Sequence, residues 1–283
     1  MSNPAVHLAA QQEPVGAPLP PPVFAAKAKS NASDIMYPVV GVAVLLGLWW
    51  LGGNILYVNP STRSFAGLGP GPTFGALWDL LRDGTIRHAA ASSLYRVGIG
   101  LCWAAGLGLP VGILFGLSKG FRKASNGPFQ FLRMISPLSW EPIAVLAFAA
   151  WDQAIIFLVA MASVWSVVYA TANGVSKIEP TWFKIARNLG ARPSHMLTKI
   201  ILPAVAQDML TGMRFALGVA WIVLVPAEFL GVTSGLGYAI EDSRETLQYS
   251  HLGAMVFVIG VIGFSIDSTF AWLIRRYSWV RDR

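Results

Sequence analysis

Residues 180–203, PTWFKIARNLGARPSHMLTKIILP, form a basic, amphipathic island between two long apolar runs. The chemistry open to such a segment is docking. Trp182, Phe183, Ile185 and Leu189 supply apolar area to fill a groove. Pro180 suits the first turn of a helix, where its missing N–H costs nothing, and Gly190 suits the left-handed position that ends one. A helix is therefore expected from Thr181 to Leu189, with Ala186 and Gly190 on one face, open to close approach by a partner. Ser194 is expected to cap a second short helix, and Leu202-Pro203 to mark the turn into the next apolar run. On these residues alone, an interfacial helix-turn-helix with no partner is the simpler reading, because amphipathic helices between spans are common.

Charges inside apolar runs form the second candidate set: Arg96, Arg133, Glu141, Glu228 and Asp267. Such groups are costly in a bilayer and face the protein interior, a cavity or a partner. By depth, Arg96, Glu141 and Glu228 belong to the outer half, and Arg133 and Asp267 lie nearer the cytoplasm. Structural ion pairs and a translocation path are both open on this evidence. Glu141 stands between Trp140 and Pro142, where a proline frees a backbone carbonyl. Trp140, Glu141 and Glu228 are the residues expected beside a path. Trp49, Trp50 and Trp140 also lie near span ends, where interfacial anchoring is the commoner role. Gly106, Gly108, Gly112 and Gly116 are expected to allow close helix packing.

These residues must be positioned by membrane helices. The chain is 54% hydrophobic and 12% charged, with mean hydropathy +0.55; soluble domains carry about 25% charged residues. The formal charge of +7 fits inner-face loops better than a nucleic-acid partner. Cys102 is the single cysteine and excludes an intrachain disulfide framework. The four histidines show no metal-ligand spacing. Residues 1–33, rich in Pro, Ala, Gln and Ser, read as a disordered cytoplasmic tail with no cleaved signal peptide. Six apolar runs are long enough to cross a bilayer: about 37–57, 92–117, 126–149, 154–173, 207–230 and 252–274. The third is interrupted by Pro137, Glu141 and Pro142. Between the first two, Phe74, Leu77, Leu80 and Leu81 repeat at helical spacing and predict an interfacial helix. With both termini inside, the inner segments hold 14 Lys and Arg against 4 in the outer loops, which supports N-in, C-in topology and a cytoplasmic 174–206. The fold class expected is an all-α polytopic membrane protein of six transmembrane helices.

The 180–203 segment also resembles the coupling loop of binding-protein-dependent ABC-importer permeases. That pattern runs Glu-Ala-Ala, three residues, Gly, nine residues, Ile, any residue, Leu-Pro. Gly190, Ile200, Leu202 and Pro203 match; Lys184-Ile185-Ala186 keeps only the final Ala, with Lys184 in place of the Glu. Further likeness runs through ASSLYRVGIGL (91–101), the glycines of the second span with LSKGFRK, ISPLSWEPIAVLAF (135–148) and DMLTGMRFALGVAWIVLVPAEFLG (208–231). These patterns are most similar to nitrate, sulfonate, taurine and bicarbonate permeases.

The resemblance implies a type I (MetI-like) transmembrane domain over 90–275, preceded by a first span and interfacial helix over 34–89 and followed by a tail over 276–283. It implies a permease subunit in a bacterial cytoplasmic membrane, importing a small oxyanionic solute. Its partners would be a second copy of itself, two cytoplasmic ATPase subunits, an extracytoplasmic solute-binding protein and membrane lipid. No cofactor is expected in this chain: it has no G-x-x-x-x-G-K-[ST] phosphate loop, so ATP and Mg would be bound by the partner ATPase and the subunit is not itself an enzyme. The coupling residues implied are Trp182, Phe183, Lys184, Ile185, Ala186, Leu189, Gly190, Ile200, Leu202 and Pro203. A contact made by the family Glu does not carry over to Lys184. Two facing Glu141 carboxylates in a dimer would repel an anion, which leaves a non-anionic or organic solute open. A channel or ion-coupled transporter working alone is the other alternative; it has no need of the docking motif, and no internal repeat supports it.

Overall fold

The computed structural model describes residues 32–277. The expected tails therefore lie almost wholly outside the described residues. The chain divides at Leu48 into two compact units. The first contributes the opening turns of α1 (Ala32–Val58), a hydrophobic helix most of whose side chains from Met36 are exposed, as suits lipid contact. The second, from Trp49, contains everything else.

Its frame is four long helices, α3 (Thr85–Leu117), α6 (Trp151–Ser176), α9 (Leu202–Glu228) and α11 (Tyr249–Tyr277). Small residues set how closely they approach. An added Cβ at Gly100, Gly108, Gly112 or Gly116 would lie 2.5–2.8 Å from side chains at Val159, Val167, Thr171 and Val175 respectively. With Ala104, which is fully buried, these positions form an i, i+4 ridge down one face of α3. Gly106, expected in this set, is off the ridge and its Cβ would meet nothing; Gly100 takes its place.

The pairing also fixes direction. Residue numbers rise together along α3 and α6, so these two helices are parallel. They fall against each other between α6 and α9, where Gly212 meets Ala170 and Gly174 meets Asp208. They fall again between α9 and α11, where Gly263 meets Trp221 and Arg214 meets Asp267. Parallel α3 and α6 require residues 118–150 to carry the chain back across the bundle. This is the third expected span, and it is no single helix. It consists of α4 (Lys119–Met134), a 3-10 turn (Pro137–Trp140) and α5 (Glu141–Ala147). Extended backbone at Ile135 and Ser136, ahead of Pro137, ends α4. Among the described residues, five helices are long and apolar enough to span on their own, and the remaining crossing is broken. Pro142 frees no carbonyl: Leu138 O accepts from Glu141 N.

α2 (Pro70–Arg82) lies between α1 and α3 in the chain. Its buried stripe is Thr73, Ala76 and Leu80, packed on α11. Phe74 and Leu81, expected on that stripe, are largely exposed. The turn into α3 uses Gly84 at φ +83. Thr85 N donates to Asp83 Oδ1 at 2.8 Å, and that bond holds the Asp83 carboxyl below its usual range.

Candidate functional site

The ends of α3, α6 and α11 and the start of α9 gather at one end of the bundle, with Lys119, Arg122, Lys177, Lys199, Arg275 and Arg276. The docking segment projects there. Its first helix, α7 (Pro180–Asn188), begins on Pro180 and stops at Gly190, which has φ +72. Ala191 N donates to Ala186 O at 2.9 Å and Gly190 N to Arg187 O at 3.0 Å. This is the paired left-handed cap that glycine permits. Ala186 is 6% exposed; its own chain covers it, so it offers no face to a partner. Phe183 also turns inward, onto Val175, Ile201 and Val205. What remains outside is a ridge of Trp182, Ile185 and Leu189, with Leu189 82% exposed. Lys184 and Gly190 are exposed beside it.

The second short helix, α8 (Pro193–Met196), is preceded by Arg192 and has no side-chain cap. Ser194 sits inside it, because Pro193 has already taken the first helical position. Leu202-Pro203 is no turn. A π-helical stretch over Leu197–Ile201 joins α8 to α9, with Leu202 N donating to Leu197 O. A proline ring collides with the carbonyl four residues before it, and the wider π winding removes that collision. Ile200 and Leu202 are part-buried, and Pro203 is exposed. Lys177 and Asp208, paired at 2.6 Å, tie α6 to α9 behind the loop.

At the other end lies a polar knot, buried at Arg96 and Glu228 and open at Asp152. Arg96 Nη1 donates to Glu228 Oε1 at 2.5 Å and to Ser234 O at 2.8 Å. Its Nε donates to Asp152 Oδ1 at 2.7 Å, and its Nη2 to Ser234 Oγ at 2.8 Å. Glu228 also accepts from Ser93 Oγ and from Gly237 N, both at 2.8 Å. Leu236 N, at the start of α10 (Leu236–Glu245), donates to Ser93 Oγ. Gly235, at φ +117, and Gly237 let this backbone wrap the carboxylate, because a Cβ at either would strike Glu228. Arg96 is 2% and Glu228 0% exposed. Four segments are pinned here, and Glu228, expected beside a path, faces no open space. Sequence reasoning missed Ser93, Asp152 and Ser234, since their partners are far away along the chain. Asp267 pairs in two-pronged fashion with Arg214, at 2.6 and 2.7 Å.

Between the two ends a cavity of about 330 Å³ opens beside the middle of α6. Arg133, Trp140, Trp165, Ser166 and Tyr169 line it. Trp140, expected beside a path, is among the residues that line this cavity. Glu141 is part-buried, begins α5, and is absent from the lining.

The family model for the binding-protein-dependent transport system inner membrane component matches residues 108–279. A bicarbonate transport system permease protein of Synechococcus elongatus is 33% identical over 261 residues, 88% of this chain and 91% of that protein. A nitrate import permease protein of the same species is 32% identical over 189 residues, 66% of this chain and 68% of that protein. A solved methionine ABC transporter in an inward-facing conformation shares the fold, with a TM-score of 0.56 over 68% of this chain and 94% of that one, at 16% identity.

Proposed function

The chain belongs to the family of inner membrane components of binding-protein-dependent transport systems, and from that premise we propose how it works and what it carries. It is the multi-pass permease subunit of an ABC importer. Two copies form the translocation unit, each docked by an ATPase subunit that binds ATP and Mg. A solute-binding protein delivers a small oxyanion of the bicarbonate, nitrate or sulfonate class from outside. The membrane is the bacterial cytoplasmic membrane with both termini inside, the orientation the basic end of the bundle favours.

The observation that carries this reading is the exposed apolar ridge of Trp182, Ile185 and Leu189 on a loop held by the Gly190 cap and the inward-turned, part-buried Phe183. An apolar ridge exposed at a basic, water-facing end has area to bury, and a groove on a soluble partner can bury it. The remaining coupling residues act through shape: Ala186 and Gly190 hold the turn, and Ile200, Leu202 and Pro203 carry it into α9. A push on α7 then reaches α6 and α9 through Phe183 and the Lys177–Asp208 pair. The substrate class rests on the bicarbonate and nitrate relatives.

Gly190→Trp and Leu189→Asp test the docking surface in the complex expressed with its neighbouring ATPase and binding-protein genes. Both variants are expected to insert normally and to lose the co-purifying ATPase. Full ATPase recovery with wild-type uptake in both would refute the coupling assignment.

A further inference from the structure

Arg133 has no carboxylate within ion-pair distance among the described residues. Its guanidinium instead lies 5.1 Å from the centre of the Tyr169 ring. Arg96 and Arg214, the other arginines within the bundle, each hold carboxylates. The Tyr169 hydroxyl is buried and has no hydrogen-bond partner among the described residues. A buried hydroxyl left unpaired costs about 1–3 kcal/mol, so a residue of the cavity wall holds a donor that is still unfilled. Ser166 adds a second hydroxyl to the lining.

The helix that carries Arg133 gives an independent indication. The inner face of α4 holds Phe121 and Phe129, which pack on Phe115 and Trp165. Lys123, Asn126, Gln130 and Arg133 follow at helical spacing beside that face, and all four are exposed. This helix belongs to the crossing that returns the chain through the bundle. A polar stripe at that depth is costly against lipid and is stable against water or a polar solute. It begins at the basic end of the bundle and finishes at the cavity.

We propose that Arg133, with the hydroxyls of Tyr169 and Ser166, forms a transient anion-binding station in the translocation path, and that the polar stripe of α4 is the wall along which the anion leaves. The proposal rests on the oxyanion reading above and gives it a site in this chain. A guanidinium offers a planar oxyanion paired N–H donors. Stacking on Tyr169 holds the guanidinium in place without neutralising it, so the anion meets an uncompensated charge. Glu141, absent from the lining, raises no repulsion there.

The test uses the assembled complex carrying Cys102→Ala and Ser166→Cys, reacted with an anionic and a cationic thiosulfonate of similar size. The ratio of anionic to cationic labelling rates is expected to fall about ten-fold when Arg133→Gln is added. Nitrate is expected to slow labelling only while Arg133 is present. In the complex that retains Ser166, Arg133→Gln is expected to cut ATP-driven nitrate uptake about ten-fold or more at unchanged ATPase assembly, and Arg133→Lys to keep most of it. An unchanged labelling ratio would overturn the proposal. If Arg133→Gln fails to assemble, Tyr169→Phe decides: slowed nitrate uptake in an intact complex supports the station, and normal uptake overturns it. If the wild-type complex imports none of nitrate, bicarbonate and taurine while labelling still depends on Arg133, the station stands and the substrate reading falls.

Discussion

Arg96 and Arg133 are the same side chain in two regions of one bundle. Arg96 reaches two carboxylates and both oxygens of Ser234, and is 2% exposed. Arg133 is exposed, lies over one aromatic ring, and faces a cavity. A charge removed from both water and lipid is tolerable only when fully paired. The knot at Arg96 meets that condition and pins four segments at one end of the bundle. Arg133, exposed at its cavity, falls outside that condition and keeps its charge open to an approaching anion. Depth in the membrane does not separate the two cases; the partners do.

The largest effect expected from breaking this contrast is at the knot. Glu228→Ala leaves Arg96 buried beside Asp152 with its innermost counter-ion gone, and breaking such a pair costs about 3–5 kcal/mol. Thermal unfolding of the detergent-purified subunit should show a large fall, with low yield. A melting temperature equal to wild type would mean the knot is no clamp. The helix ridge comes next. Gly112→Leu drives a side chain into Thr171 and the Val168 carbonyl, and overpacking of this kind costs about 1–3 kcal/mol. Gly106→Ala, on the open side of the same helix, should be neutral or raise stability by about 0.5–1 kcal/mol. Equal effects at the two glycines would dismantle the i, i+4 ridge.

Smaller still is Gly190→Ala. Its Cβ meets nothing, so the cost is that of a left-handed residue, about 1–2 kcal/mol. It should appear as faster hydrogen exchange of 180–191 with little change in global melting. The smallest effect is expected at Glu141. It has no ion-pair partner among the described residues, so Glu141→Gln should shift stability by less than about 0.5 kcal/mol. A fall as large as that of Glu228→Ala would place Glu141 with the structural charges.

What could be read from the sequence follows from how local each signal is. Pro180 and Gly190 bound α7 because proline fixes φ and glycine permits a positive φ, each without help from distant residues. The apolar runs revealed the long helices by length and composition. The broken third crossing was visible as Pro137, Glu141 and Pro142, but its winding depends on packing. The ion pairs were hidden, since Arg96 meets partners 56, 132 and 138 residues away. The phase of the glycine ridge was hidden too: Gly106 and Gly108 look alike until α6 is beside them. Ala186 looked free for a partner because sequence does not show that its own chain covers it. Glu141 drew attention as an acid beside a proline, while Arg133, whose isolation matters, looked like one half of an inner pair with Asp267. Asp267 belongs to Arg214.

The contrast between a partnered and an unpartnered arginine is tested most directly by Arg96→Gln and Arg133→Gln, purified side by side with their ATPase and measured for melting temperature and nitrate uptake per folded complex. Arg96→Gln is predicted to melt several degrees lower, with uptake per folded complex near wild type. Arg133→Gln is predicted to melt like wild type and lose about ten-fold or more of its uptake. If Arg133→Gln instead melts low and its surviving complexes import nitrate at the wild-type rate, Arg133 is a structural residue and the account is contradicted.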